Sequence, residues 1–214
     1  MDVSRQLPAD AGVQRGPRYR TRRLMLEAAT RLMQSGANPS VTDVAEAAGV
    51  SRATAYRYFP SQAALVHAVV DQALGPILEW SSDSRSVETR VADLFAMAMP
   101  RIQDFEATFK AALRLSLEQW AHRQAGTQAM EPQFTRGHRI ELLMDAVAPA
   151  RGQLSRGEQE RLAQALSLVF GVEALVVLGD IWGLDRTRVG EVVAWASEAL
   201  VKAAMQQGKG GSKD

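Results

Sequence analysis

Arg52, Thr54, Tyr56 and Arg57 crowd four hydrogen-bonding side chains into six residues, and none of the four is acidic. Guanidinium groups offer paired N–H donors that match a guanine edge or a phosphate, and hydroxyls add further donors. The four sit within residues 40–65, SVTDVAEAAGVSRATAYRYFPSQAAL, where Ala48-Gly49-Val50-Ser51 joins two short helical patterns. Ser40 and Asp43 have the spacing of a capping box, and Ser51 stands where it can cap the second helix. Val41, Val44 and Ala48 recur at helical spacing toward a core, and Ala45 is small where the helices must cross. Gly49 falls where a chain leaving a helix turns left-handed. Tyr58 and Phe59 are expected to tuck inward, Pro60 bars continuation, and Ser61 can cap the next helix. This is the build of a helix-turn-helix, whose second helix enters the DNA major groove.

Catalytic chemistry finds little to work with. His67, His122 and His138 are scattered without metal-ligand spacing, and no phosphate loop or nucleophile elbow occurs. There is no cysteine, which excludes disulfides and thiolate chemistry. Neither catalytic residues, a metal nor a cofactor is expected. Met97, Phe105, Phe109, Arg114, Glu118, Trp120 and His122 mix apolar walls with polar groups and are the candidates for lining a small-molecule pocket. Core or surface roles explain them too: Arg114 and Glu118 are four apart, the spacing of a plain surface ion pair.

The elements that must position these residues all read as helices. Residues 1–17 form an aperiodic basic arm, expected to be flexible. A first helix over 18–34 carries Met25, Ala28, Ala29 and Leu32 on its buried stripe and stops at Gly36. Residues 61–80 form a long helix, with Leu65, Val66, Val69, Ala73 and Leu74 apolar and Gly75-Pro76 as a kink or end. After a polar linker, a helix over 87–99 stops at Pro100. A helix over 105–123 places Phe109, Leu113, Leu117 and Trp120 at helical spacing. A loop with Gly126, Pro132 and Gly137 precedes a helix over 139–148. Ser155 and Glu158 open a long helix to about 182, Gly183 ends it, and Asp185 can cap a last helix to about 206. A solvated tail follows over 207–214. Nothing alternates with period two, so the fold is all-α.

Charge follows the same division. Residues 1–70 hold nine Arg, no Lys and five acids, a net of +4, against −3 for the remainder. A basic head on an acidic body suits local DNA binding, although a charge run can also be only a solvated face. No run of about eighteen apolar residues could span a bilayer and no signal-like start is present, so a soluble cytoplasmic protein without membrane contact is expected.

Residues 18–66 resemble the DNA-binding domain of the tetracycline-repressor-like (TetR) family of bacterial regulators. The resemblance rests on Leu26-Glu27-Ala28-Ala29 with Leu32 and Gly36, on residues 44–51, and on residues 54–59. It implies phosphate contacts from Ser40, Thr42 and Tyr56, base contacts from Ser51, Arg52, Ala53 and Thr54, and a groove contact from Arg57. Where the family usually has a phosphate-binding lysine, this chain has Gln62, and Arg15, Arg18, Arg20, Arg22 and Arg23 are the candidates to replace its charge. The resemblance implies a ligand-binding and dimerisation bundle over 67–206. Pairing would use the last two helices, through Val189, Val192, Val193, Ala196, Leu200 and Ala203 on one and Leu162, Leu166, Val169, Phe170, Val176 and Val177 on the other, with Gly171 permitting close approach. The expected function is a homodimeric repressor on a palindromic double-stranded operator, released by a small-molecule effector. The alternatives are a DNA-binding regulator without such a ligand, controlled by a protein partner or acting as an activator, or a helical enzyme or interaction module.

Overall fold

The computed structural model describes residues 16–127 and 138–210. The expected arm with Arg15, the loop residues Pro132 and Gly137, and the last four residues of the tail lie outside them. The described residues are helical, with no β-strand among them.

Helix α1 (Pro17–Gln34) opens on a proline, whose fixed φ suits a first turn. It buries Met25, Leu26, Ala28, Ala29 and Met33, while Leu32 is only half-buried. The buried stripe is therefore wider than the four expected positions. Helices α2 (Val41–Ala47) and α3 (Arg52–Tyr58) follow, joined through Gly49 at φ +66. Phe59 is buried, Tyr58 half-buried, and the Arg22 guanidinium lies 5.8 Å from the Phe59 ring centre. Ser61 caps α4 (Gln62–Leu74) by accepting from the Ala64 N–H, and α4 carries the head into the body.

Helix α4 ends as Gly75-Pro76 anticipates, in a 3-10 turn over Gly75–Glu79. Gly75 has φ +44, and a Cβ there would fall 2.6 Å from the Arg101 guanidinium, which donates to the carbonyls of Gln72 and Leu74. That arginine satisfies the carbonyls a helix end leaves open.

The body comprises α5 (Val87–Asp104), α6 (Glu106–Gln124), α7 (His138–Val147), α8 (Arg156–Val169), α9 (Val172–Leu175) and α10 (Arg186–Gly210). Pro100 does not end α5. It sits on the exposed side, and the stripe Val91, Leu94, Phe95, Ala98, Met99 and Ile102 buries straight through it. A mid-helix proline costs about 3 kcal/mol, whereas burying Met99 and Ile102 alone returns about 1.5–3 kcal/mol each.

The expected single helix from 155 to 182 is broken. α8 ends at Val169, Gly171 takes φ +120, and α9 with the π-helical turn over Val176–Ile181 runs on bent 45° from α8. The Arg139 guanidinium occupies the space a Cβ at 171 would need, pairing with Glu173 at 2.6 Å and donating to the Ser167 carbonyl. The close approach at Gly171 is thus made by an arginine of the same chain. Asp185 caps α10 through the Arg188 N–H, and α10 continues past 206 to Gly210, with Gly208 packed on Gln153 and Leu154.

α10 packs on α5 and α8, α7 on α8, and α4 on α6, around one continuous apolar core. Among the described residues no single helix is long and apolar enough to cross a membrane.

Candidate nucleic-acid interface

Both helices of the motif begin with a serine cap. The Ser40 hydroxyl accepts from the Asp43 N–H at 3.2 Å, and the Asp43 carboxylate accepts from the Ser40 N–H at 2.8 Å. The Ser40 backbone bond, with its hydroxyl behind it, holds the Asp43 carboxyl below its ordinary value of 3.8. Ser51 accepts from the Thr54 N–H at 3.2 Å and donates its own proton to the Thr54 hydroxyl at 3.0 Å. Arg57 donates to the same hydroxyl at 3.4 Å. Ser51, Thr54 and Arg57 thus form a short hydrogen-bonded row along the start of α3.

Burial divides α3 cleanly. Ala55 is fully buried against the head, while Ser51, Arg52, Ala53, Tyr56 and Arg57 are exposed and Thr54 is half-exposed. Ser40 and Thr42 are half-exposed at the N-terminus of α2. The structure therefore leaves the expected base-facing and phosphate-facing side chains on the outside of one motif.

Gln62 is different. Its amide nitrogen donates to the Asn38 side chain at 3.0 Å and to the Pro39 carbonyl at 3.1 Å, so it fastens α4 to the turn before α2. The arginines of α1 also divide. Arg22 lies over Phe59 and Arg23 pairs with Glu27 at 3.4 Å, while Arg18 and Arg20 are exposed on the first turns.

The candidate pocket residues are not gathered into one cavity. A cavity of about 80 Å³ lies between α4, α6 and α7, and of the seven only Phe109 lines it. Arg114 and Glu118 form the half-exposed i,i+4 ion pair, at 3.7 Å. Met97, Trp120 and His122 are exposed, and Phe105 is half-buried under the Arg101 guanidinium. The helical spacing of Phe109, Leu113, Leu117 and Trp120 follows the core only halfway along α6: Leu117 and Trp120 are 57% and 55% exposed. A larger groove of about 750 Å³ runs between α5 and α10, past Phe95, Met99, Val193 and Val201.

The pairing stripes split as well. Leu162, Leu166, Phe170, Val189 and Val193 bury within their own chain. The apolar side chains left outward on these elements are Leu168, Val177, Ile181, Trp182, Val192 and Trp195, and Leu168, Ile181, Trp182 and Trp195 are each over 70% exposed. Those four lie off the stripes that sequence periodicity selects.

Sequence spacing also gave no sign that two of the three histidines meet. His138, at the start of α7, lies against α4, where Asp71 is within 3.0 Å of it and 3.1 Å of His67. Only the i,i+4 spacing of His67 and Asp71 was there to be read.

Comparison with known proteins bears on the head most directly. Residues 25–69 match the profile of bacterial regulatory proteins, tetR family. Over 57 residues the chain is 39% identical to the HTH-type transcriptional repressor LfrR of Mycolicibacterium smegmatis, a stretch that is 27% of this chain and 30% of that repressor. The match thus spans under a third of the length of that relative. A TetR transcriptional regulator from Rhodococcus sp. RHA1 superposes with a TM-score of 0.57 at 23% identity, covering 87% of this chain and 97% of that one. A Clostridium perfringens protein assigned as a fatty acid metabolism regulator does so at 0.53 and 17%, covering 80% and 94%. At these identities the two structures speak for the fold alone.

Proposed function

We propose, from the match of residues 25–69 to the tetR family of bacterial regulatory proteins, that this chain is a homodimeric transcriptional repressor acting on a palindromic operator in the cytoplasm. The observation that carries the reading is the serine-capped α3, with Arg52, Ala53, Tyr56 and Arg57 outward and Ala55 sealed inward. Arg52 and Thr54 would approach base edges. Ser40, Thr42 and Tyr56 would hold phosphates and fix the register. Gln62 supports this geometry from behind, since its amide is engaged with Asn38 and Pro39.

One head covers one half-site, so a twofold dimer is the economical way to read a palindrome. The outward side chains Leu168, Ile181, Trp182 and Trp195, all between the end of α8 and the middle of α10, support pairing through this part of the chain, because large apolar side chains left in solvent favour association. An effector would release the operator by favouring an arrangement of α4 in which the two heads no longer match the half-site spacing.

A second reading keeps the DNA binding and drops the organic effector. The cavity beside α4 holds about 80 Å³, against the roughly 300–1,000 Å³ of typical ligand pockets, and the groove of about 750 Å³ between α5 and α10 is lined by none of the seven candidate residues. Selection of genomic fragments by the purified protein, followed by footprinting at moderate salt, tests both readings at their root. A protected palindrome is expected. Diffuse, salt-labile protection would remove the regulator reading altogether.

A further inference from the structure

We propose that His67, Asp71 and His138 form a binding site for one divalent transition-metal ion, zinc above all, which clamps α4 to α7. His67 and Asp71 are four apart on α4 and so share a face. His138 arrives from the first turn of α7. The Asp71 carboxylate stands between the two rings, with Oδ2 3.1 Å from His67 Nδ1 and Oδ1 3.0 Å from His138 Nε2. One donor atom from each residue lies within 4.8 Å of the others. Donors around a tetrahedral zinc with bonds of about 2.0–2.1 Å lie roughly 3.3 Å apart. Small side-chain rotations would close the set.

The donor chemistry selects the ion. Two imidazoles and a carboxylate suit zinc and its first-row neighbours, whereas calcium and magnesium take oxygen donors. The surroundings suit an ion that keeps an open position. Each of the three side chains is roughly two-fifths exposed, so an ion can enter from solvent. Beneath them Val70, Leu74, Phe109 and Leu142 form an apolar floor. Arg139, which lines the same cavity, is engaged by Glu173 and the Ser167 carbonyl. Without metal, Asp71 bridges the two imidazoles by hydrogen bonds, which holds the donors together before the ion arrives.

The inference does not rest on DNA binding and is tested without it. The full chain is titrated with Zn²⁺ against a chromophoric chelator, and with Co²⁺ followed by visible absorption. One ion per chain is expected, with the Co²⁺ bands of a low-coordinate site. His138→Gln, His67→Gln and Asp71→Asn should each weaken Zn²⁺ binding at least about 10- to 100-fold. His122→Ala, an exposed histidine away from the cluster, should leave it unchanged. Circular dichroism identifies variants that fold, and these glutamine and asparagine replacements preserve size. Wild-type Zn²⁺ affinity in folded His138→Gln, or equal loss in His122→Ala, would overturn the site. Failure of the wild-type chain to compete with the chelator for Zn²⁺ would do the same, leaving Asp71 as a hydrogen-bonded strut.

Discussion

The head and the body use the same secondary structure but hold their polar groups in opposite ways. In the head most of the polar bonds are local, Ser40 with Asp43, Ser51 with Thr54, Thr54 with Arg57, and Gln62 with Asn38 and Pro39 is the longer exception. In the body they span long stretches of sequence: Arg90 with Asp145 at 2.7 Å, Lys110 with Asp180 at 2.7 Å, Asp71 with His138 at 3.0 Å, and Arg139 with Glu173 at 2.6 Å. A short recognition helix cannot bury much, so caps and turn chemistry must define it. A bundle of long helices is defined by burial, and its polar groups lock elements that burial has already brought together. A head of this kind can be read residue by residue, and a body only after it has folded.

The comparison is one of polar bonds, and it leaves the head as dependent on a buried anchor as the body is. Phe59, 2% exposed, is the head's anchor behind α3. Phe59→Ala should cost about 3–5 kcal/mol in urea unfolding and abolish DNA binding by releasing α3. A loss under 1 kcal/mol would mean that the local caps hold the head by themselves.

Association comes next. Trp195, 71% exposed, should be a major contributor if the α10 surface is a dimer interface. Trp195→Ala should weaken dimerisation by about 2 kcal/mol or more, roughly thirtyfold, in sedimentation equilibrium. No change in the association constant would move the interface elsewhere.

Legibility in the sequence divides along the same line. The Ser40, Ser51 and Ser155 caps, the Gly49 turn and the stop at Gly75-Pro76 were all readable, because each depends on neighbours within a few residues. The break at Gly171 was not, because the Arg139 side chain packed against it comes from thirty-two positions away. Pro100 misled for a related reason: its cost is local, but the burial of Met99 and Ile102 that outweighs it depends on tertiary packing. The proposed pocket residues do not share one cavity, since helical spacing cannot say where along α6 the core ends. Gln62 was readable as a weakened phosphate ligand, but its bonds to Asn38 and Pro39 depend on the fold.

Gln62 sharpens the contrast, because its side chain serves structure at the edge of the interface. Gln62→Ala should destabilise the chain by about 1 kcal/mol while leaving the salt dependence of DNA binding unchanged. A shallower salt slope in the variant would assign Gln62 to a phosphate after all.

The smallest effect separates the capping boxes from the long-range bonds. Ser40→Ala should cost about 1 kcal/mol at neutral pH. Since Asp43 is held below 3.8 in the folded state, its contribution is present above that pH and is lost as pH falls through the lowered value. Glu158 in the body behaves likewise below its ordinary 4.5, held down by the Ser155 hydroxyl and then its N–H. Urea melts at pH 7 and pH 3 should therefore show the Ser40→Ala penalty shrinking in acid. An undiminished penalty would remove the carboxylate from the cap's energetics.

The most direct test of the DNA-reading assignment is the affinity of the chain for a selected operator and for a scrambled duplex at one salt concentration, with and without Arg52→Ala. The account predicts that the intact chain prefers the operator by about a thousandfold or more, and that Arg52→Ala removes roughly ten- to a hundredfold of that preference while binding to the scrambled duplex changes far less. Equal affinity of the intact chain for both duplexes, or an unchanged preference in the variant, would contradict the assignment of α3 as the element that reads sequence.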